Sequence, residues 1–157
     1  MASRPGPNSQ AFAGFPDRAQ AVAVPSLFFT AVLPHVQDSA ELRVCLHLFW
    51  RLAQQRRYPR FVTYAELASD SVLRSGLGVA DPSAALAQAV ARGTLLTLTM
   101  EQNGARHLLY FINDAPSRRA VDRIARGELA LDLGEPRPGE GAAELAPPSP
   151  QPANIFA

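Results

Sequence analysis

Lysine is missing from this chain of 157 residues; all 15 basic residues are arginine. A GC-rich coding sequence is the bland source of that bias, and no function is read from it. One cysteine, Cys45, excludes an internal disulfide and a cysteine-cage zinc site. No apolar run is long enough to span a bilayer, and the opening MASRPGPNSQ lacks the apolar core of a signal peptide. A cytoplasmic protein with no membrane partner is expected. Catalytic chemistry is also sparse. His35, His47 and His107 lack metal-ligand spacing. Gly76-Leu77-Gly78 has no lysine after it and so does not read as a phosphate cradle. Neither paired carboxylates nor a Ser/His/Asp set is visible. Cys45 lies among apolar helical residues and is expected in a core, not as a nucleophile. No enzyme, cofactor or metal site is expected.

What is present is charge asymmetry and a run of local folding signals. The net charge of +1 conceals a split. Residues 41–126 carry 12 arginines against 7 acids, and residues 127–157 carry 1 against 5. A mildly basic domain with an acidic tail is compatible with nucleic acid without demanding it.

Residues 61–112 organise the chain. Phe61-Val62 is a short β-prone run. Thr63 and Glu66 have capping-box spacing, which satisfies orphan N–H groups at a helix start. Asp81-Pro82 is a second start signal, an acid cap followed by proline at the first helical position. Leu86, Ala89 and Val90 recur at helical spacing, and Gly93 can close that helix in the left-handed conformation. Residues 94–101 and 106–112 are β-prone, and Asn103-Gly104 between them is a strong hairpin signal. The order predicts an α+β, mainly helical fold. Specifically, it predicts a winged helix-turn-helix with an extra N-terminal helix and a C-terminal helix after the wing.

Around that centre, residues 1–20 read as a disordered arm and 21–130 as the winged-helix domain. A short helix is expected over residues 27–33, ended by Pro34. Asp38 or Ser39 should cap the longest helix, which runs to about Arg57. Leu42, Cys45, Leu46, Phe49, Leu52 and Ala53 form its apolar stripe, which Val44, Leu48 and Trp50 widen. The excess is covered either by the 27–33 helix or by a partner chain. The candidate oligomer interface is therefore Leu27, Phe28, Val44, Leu48 and Trp50. Leu48→Arg is then expected to dissolve an oligomer without unfolding the domain. Arg43, His47 and Arg51 form an i, i+4, i+8 row, read as a solvated face or a partner contact. Asn113 or Asp114 should cap a last helix over residues 116–126, with a basic face of Arg118, Arg119, Arg123 and Arg126. Residues 131–157 read as an acidic Pro/Gly-rich linker, and Asn154-Ile155-Phe156-Ala157 as the opening of another ordered element.

Candidate DNA contacts are Arg56, Arg57, Arg60, Gln88, Arg92, Arg106, Arg119 and Arg123. Arginine grips phosphate with two N–H groups, and Tyr58 among residues 56–60 can stack on a base. A helix C-terminus also favours cations, which gives that cluster a purely structural alternative. In a winged helix the second helix enters the major groove. Here residues 83–92 present only Ser83, Gln88 and Arg92 as polar reaching groups. Base edges are read by forked side chains, so sequence-specific readout is not expected.

Several stretches together resemble the N-terminal domain of DnaD-like primosome proteins of the Chloroflexi type. They are Val24-Pro25-Ser26-Leu27-Phe28-Phe29-Thr30 with Leu33-Pro34, and Glu41-Leu42-Arg43-Val44 through Leu48-Phe49-Trp50-Arg51-Leu52. They continue with Tyr58-Pro59-Arg60-Phe61-Val62-Thr63-Tyr64-Ala65-Glu66-Leu67 and Ala89-Val90-Ala91-Arg92-Gly93-Thr94-Leu95-Leu96. Tyr110-Phe111-Ile112-Asn113 and Asn154-Ile155-Phe156 complete the set. The resemblance implies a winged-helix domain used for homo-oligomerisation and for docking other replication-initiation or helicase-loading proteins. It implies that much of the DNA binding lies in a separate second domain, expected to start near Asn154. Weak duplex or single-stranded DNA contact is left open here, and a winged-helix transcription regulator is the alternative reading.

Overall fold

Continuous structure begins where a carboxylate can cap a helix. Asp38 accepts from the Ala40 N–H at 2.9 Å and starts α1, Ser39–Ala53, in the computed structural model, which describes residues 11–133. The calls on residues 134–157, Asn154 to Ala157 among them, lie outside the described residues. Upstream, a π-helical turn, Phe28–Val32, runs into a tighter turn, Leu33–His35. Pro34 sits inside that second turn and does not end the first. A proline in the opening turn loses no needed N–H bond.

α1 stops at Ala53, short of the expected Arg57. Gln55 explains the stop. Its side chain donates to the Phe61 carbonyl at 2.7 Å and accepts from the Phe61 N–H at 3.1 Å. That clasp turns residues 56–60 into a loop. β1, Val62–Thr63, follows, and Thr63 and Glu66 close both halves of the capping box that opens α2, Tyr64–Ala68. A π-helical turn, Val72–Gly76, follows. α3 is Ser83–Arg92, one residue later than Asp81-Pro82 suggests, although Asp81 still accepts from the Ser83 N–H at 3.0 Å. Gly93 ends it at φ +90°, in the left-handed region that favours glycine.

β2, Leu95–Gln102, and β3, Ala105–Ile112, form the hairpin, with Asn103 and Gly104 both at positive φ as a tight turn of this hand requires. The sheet is antiparallel in the order β1-β3-β2, with Thr97 opposite Tyr110. Its two faces bury separate apolar layers, as strand alternation dictates. On one face Val62, Leu95 and Tyr110 join Leu48, Leu67 and Leu86 from the three preceding helices. On the other, Phe61, Leu109 and Phe111 pack with Ile124 of α4, Ala115–Ala125, and with Leu131. Leu131 is fully buried and its carbonyl accepts from Gln102 at 3.2 Å. Leu131, one residue past the expected boundary at 130, thus packs in the second layer of the core.

Candidate nucleic-acid and subunit interfaces

The second helix of the expected helix-turn-helix is α3. Its outward positions are small: Ser83, Ala84, Ala87, Gln88 and Ala91 are exposed. Arg92 is exposed on one side but already engaged. Its Nε and Nη2 donate to the two oxygens of Glu41 at 2.7 and 3.0 Å, and Glu41 is buried at the start of α1. Of the two α3 residues expected to reach DNA, only Gln88 stands free of such a bond, and Arg92 is corrected to a structural role. Loss of either partner is not symmetrical. Arg92→Ala strands a buried carboxylate, while Glu41→Leu releases an arginine that can turn to water. Arg92→Ala is expected to lower the urea midpoint by more than Glu41→Leu does. The reverse order would free Arg92 for an external partner.

The Arg43, His47, Arg51 row, read as a solvated face or a partner contact, is bonded within the fold, with Arg43 still exposed. It closes the fold around the α2–α3 connection. Arg43 donates to the Leu77 carbonyl at 2.8 Å. His47 meets Asp70 at 2.8 Å and Arg51 donates to the same oxygen. A carboxylate can only accept, so His47 Nε2 carries the proton. The other Asp70 oxygen accepts from the Val72 and Leu73 N–H groups at 2.9 and 3.2 Å. Burial pushes the Asp70 carboxyl up, yet the bonds from His47, the Leu73 N–H and Arg51 outweigh it and leave the pKa lowered. Cys45 lies behind this layer, where burial and the neighbouring Glu41 charge push its thiol up to about 12. A thiol so placed is not a nucleophile near neutral pH.

Residues 56–60 and the start of α4 enclose an open groove of about 560 Å³ with Phe49, Leu52 and Ile112 on its floor. Arg57 is turned inward. It donates to the Phe61 carbonyl at 3.0 Å and covers the Phe61 ring at 3.9 Å, so its charge is engaged within the fold although it also lines the groove. Burial lowers its pKa. Arg56 and Arg60 line the groove, are exposed, and have no hydrogen-bond or ion-pair partner among the described residues. Tyr58 between them is 50% exposed, and its hydroxyl donates to the Pro116 carbonyl at 3.3 Å. The structural alternative for this cluster, charge at a helix C-terminus, does not apply to a loop beyond Ala53.

Comparison with protein families, curated proteins and solved structures returns no match. On α4, Arg118 is bonded to Asn113 and Arg126 is paired with Asp122 and Glu128. Arg119 and Arg123 are exposed and without such partners among the described residues. Arg106 is exposed near the hairpin tip, directly across from Glu101. The expected DNA contacts thus divide. Arg92 lies beside Glu41 at the start of α1 and Arg56 just beyond its end, with α1 itself about 22 Å long at 1.5 Å per residue.

The expected subunit contacts divide as well. Leu27 and Trp50 are 71% and 42% exposed. Phe28, Val44 and Leu48 are buried within the chain and are corrected from interface to core. Phe28 meets Phe49 edge-on at 5.4 Å, so the N-terminal turn covers part of α1, as one of the two expectations held. The buried line of α1 is Val44, Cys45, Leu48 and Leu52, which turns Leu46 out to 40% exposure. Leu46 and Trp50, at i and i+4, are neighbours on the outer side. Phe29, 51% exposed, stands edge-on to Phe28 at 5.6 Å. Leu46 and Phe29 are exposed apolar residues that sequence reasoning did not single out. Among the described residues no group of His, Cys, Asp and Glu could hold a metal ion, and no helix is long and apolar enough to cross a membrane.

Proposed function

We propose that this chain is a winged-helix interaction module that associates with a second copy of itself through Leu46 and Trp50. In this reading it docks replication-initiation or helicase-loading partners and reads no DNA sequence. The order α1-β1-α2-α3-β2-β3 with the sheet order β1-β3-β2 supports the winged helix. The observation that carries the function is the contrast between two helices. α3 offers alanines and one glutamine where base-reading forks would be needed, while α1 leaves a leucine and a tryptophan in solvent. Tryptophan in an exposed apolar pair is a common anchor of protein interfaces. The resemblance to DnaD-like proteins supplies the replication setting. A transcription regulator that enters the major groove with α3 has less support, because Arg92 is held by Glu41.

The test is solution mass. Leu46→Glu with Trp50→Glu is expected to reduce an oligomer to monomer while leaving the unfolding free energy of the chain within about 0.5 kcal/mol, as surface changes do. An unchanged mass would remove this surface from the assembly.

A further inference from the structure

The groove beside residues 56–60 is lined from α1 by Phe49, Leu52 and Ala53, and not by Leu46 or Trp50. Three properties coincide there. The first is uncommitted charge. Arg56 and Arg60 have no partner among the described residues, and the Asp114 carboxylate that also lines the groove is bound to the Ser117 N–H at 2.8 Å as a helix cap. The second is a prepared aromatic. The Tyr58 hydroxyl is tied to Pro116 while the side chain stays half exposed, so little conformational freedom remains to be lost on binding. The third is continuity. Pro116, Arg119 and Arg123 are spaced i, i+3, i+7 along one side of α4. The groove wall that Pro116 forms therefore leads to two more exposed arginines.

From this arrangement we infer that the groove binds single-stranded nucleic acid, with phosphates on Arg56, Arg60, Arg119 and Arg123 and a base on Tyr58. A basic track interrupted by an aromatic platform is how strands are held without sequence preference. A duplex keeps its bases stacked on one another and has none to offer Tyr58. No α3 residue lines the groove, and Arg92 of α3 is held by Glu41 at the start of α1.

The experiment titrates the full chain into a short fluorescent oligodeoxythymidylate by anisotropy, across a salt series. An abasic strand and a duplex of equal length are run beside it. Binding is expected to weaken with salt, and Arg56→Ala with Arg60→Ala is expected to flatten the log–log salt slope by about 1.4, at 0.7 per phosphate contact. Tyr58→Ala is expected to weaken oligothymidylate binding roughly tenfold and leave abasic binding unchanged. Arg74→Ala, at an exposed arginine that does not line the groove, is expected to have no effect. No binding at low salt would overturn the inference. So would an equal loss from the Arg74 control, equal affinity for the abasic strand, or tighter binding of the duplex. Variants are checked for an unchanged unfolding midpoint. Failure here leaves the Leu46 and Trp50 surface untouched, since that reading is tested by mass.

Discussion

Leu48→Arg is expected to leave the chain unfolded at 25 °C. Leu48 has no exposed surface in the single chain. Removing a buried leucine costs about 2–5 kcal/mol through lost contacts and the cavity left behind. A guanidinium in its place adds several kcal/mol of desolvation in an apolar cluster. The sum is comparable to the 5–15 kcal/mol that holds a typical domain together. Far-UV circular dichroism and a urea titration check this. A folded variant with a normal midpoint and a smaller mass would instead restore Leu48 to a subunit contact.

Asp70→Ala is expected to cost about 3–5 kcal/mol, the range for breaking a buried ion pair. One carboxylate, 7% exposed, receives two side chains of α1 and two backbone N–H groups of the turn that follows α2. Without it, His47, Arg51 and the turn lose a common acceptor, and α1 loses its tie to the α2–α3 connection. The pH dependence has a definite sign. A carboxyl whose folded pKa lies below its unfolded value of about 3.9 stabilises the fold above that value. The contribution disappears as pH falls through the folded pKa. The stability gap between wild type and Asp70→Asn should therefore be widest near neutral pH and close in acid. A gap independent of pH would mean that Asp70 acts through shape and not through charge.

These two residues mark the boundary of what the sequence discloses. Thr63 with Glu66, Gly93, and Asn103-Gly104 act over a few residues, so their spacing alone reveals a helix start, a helix stop and a turn. Asp70 finds His47 and Arg51 at separations of 23 and 19 residues, and Arg92 finds Glu41 at 51. No spacing rule connects such pairs, and they look like solvated charges or ligand contacts until the helices are packed. α1 shows a related ambiguity. Its periodicity discloses a wide apolar face but not which edge points inward, so Leu48 and Val44 exchange places with Leu46. Leu131 is hidden for another reason. It is one leucine in a stretch rich in acids, glycine and proline, and its weight comes from the second sheet face that it covers. Of the basic groove, Arg56, Tyr58 and Arg60 are legible as a cluster, and their meeting with Pro116 of α4 is not.

The most direct measurement is light scattering of the full chain after gel filtration, over a tenfold concentration range, beside Leu46→Glu with Trp50→Glu. An interaction module built on the outer side of α1 predicts a wild-type mass at a multiple of 16.9 kDa and a variant at 16.9 kDa. A wild type that stays at 16.9 kDa at every concentration would contradict self-association through this surface.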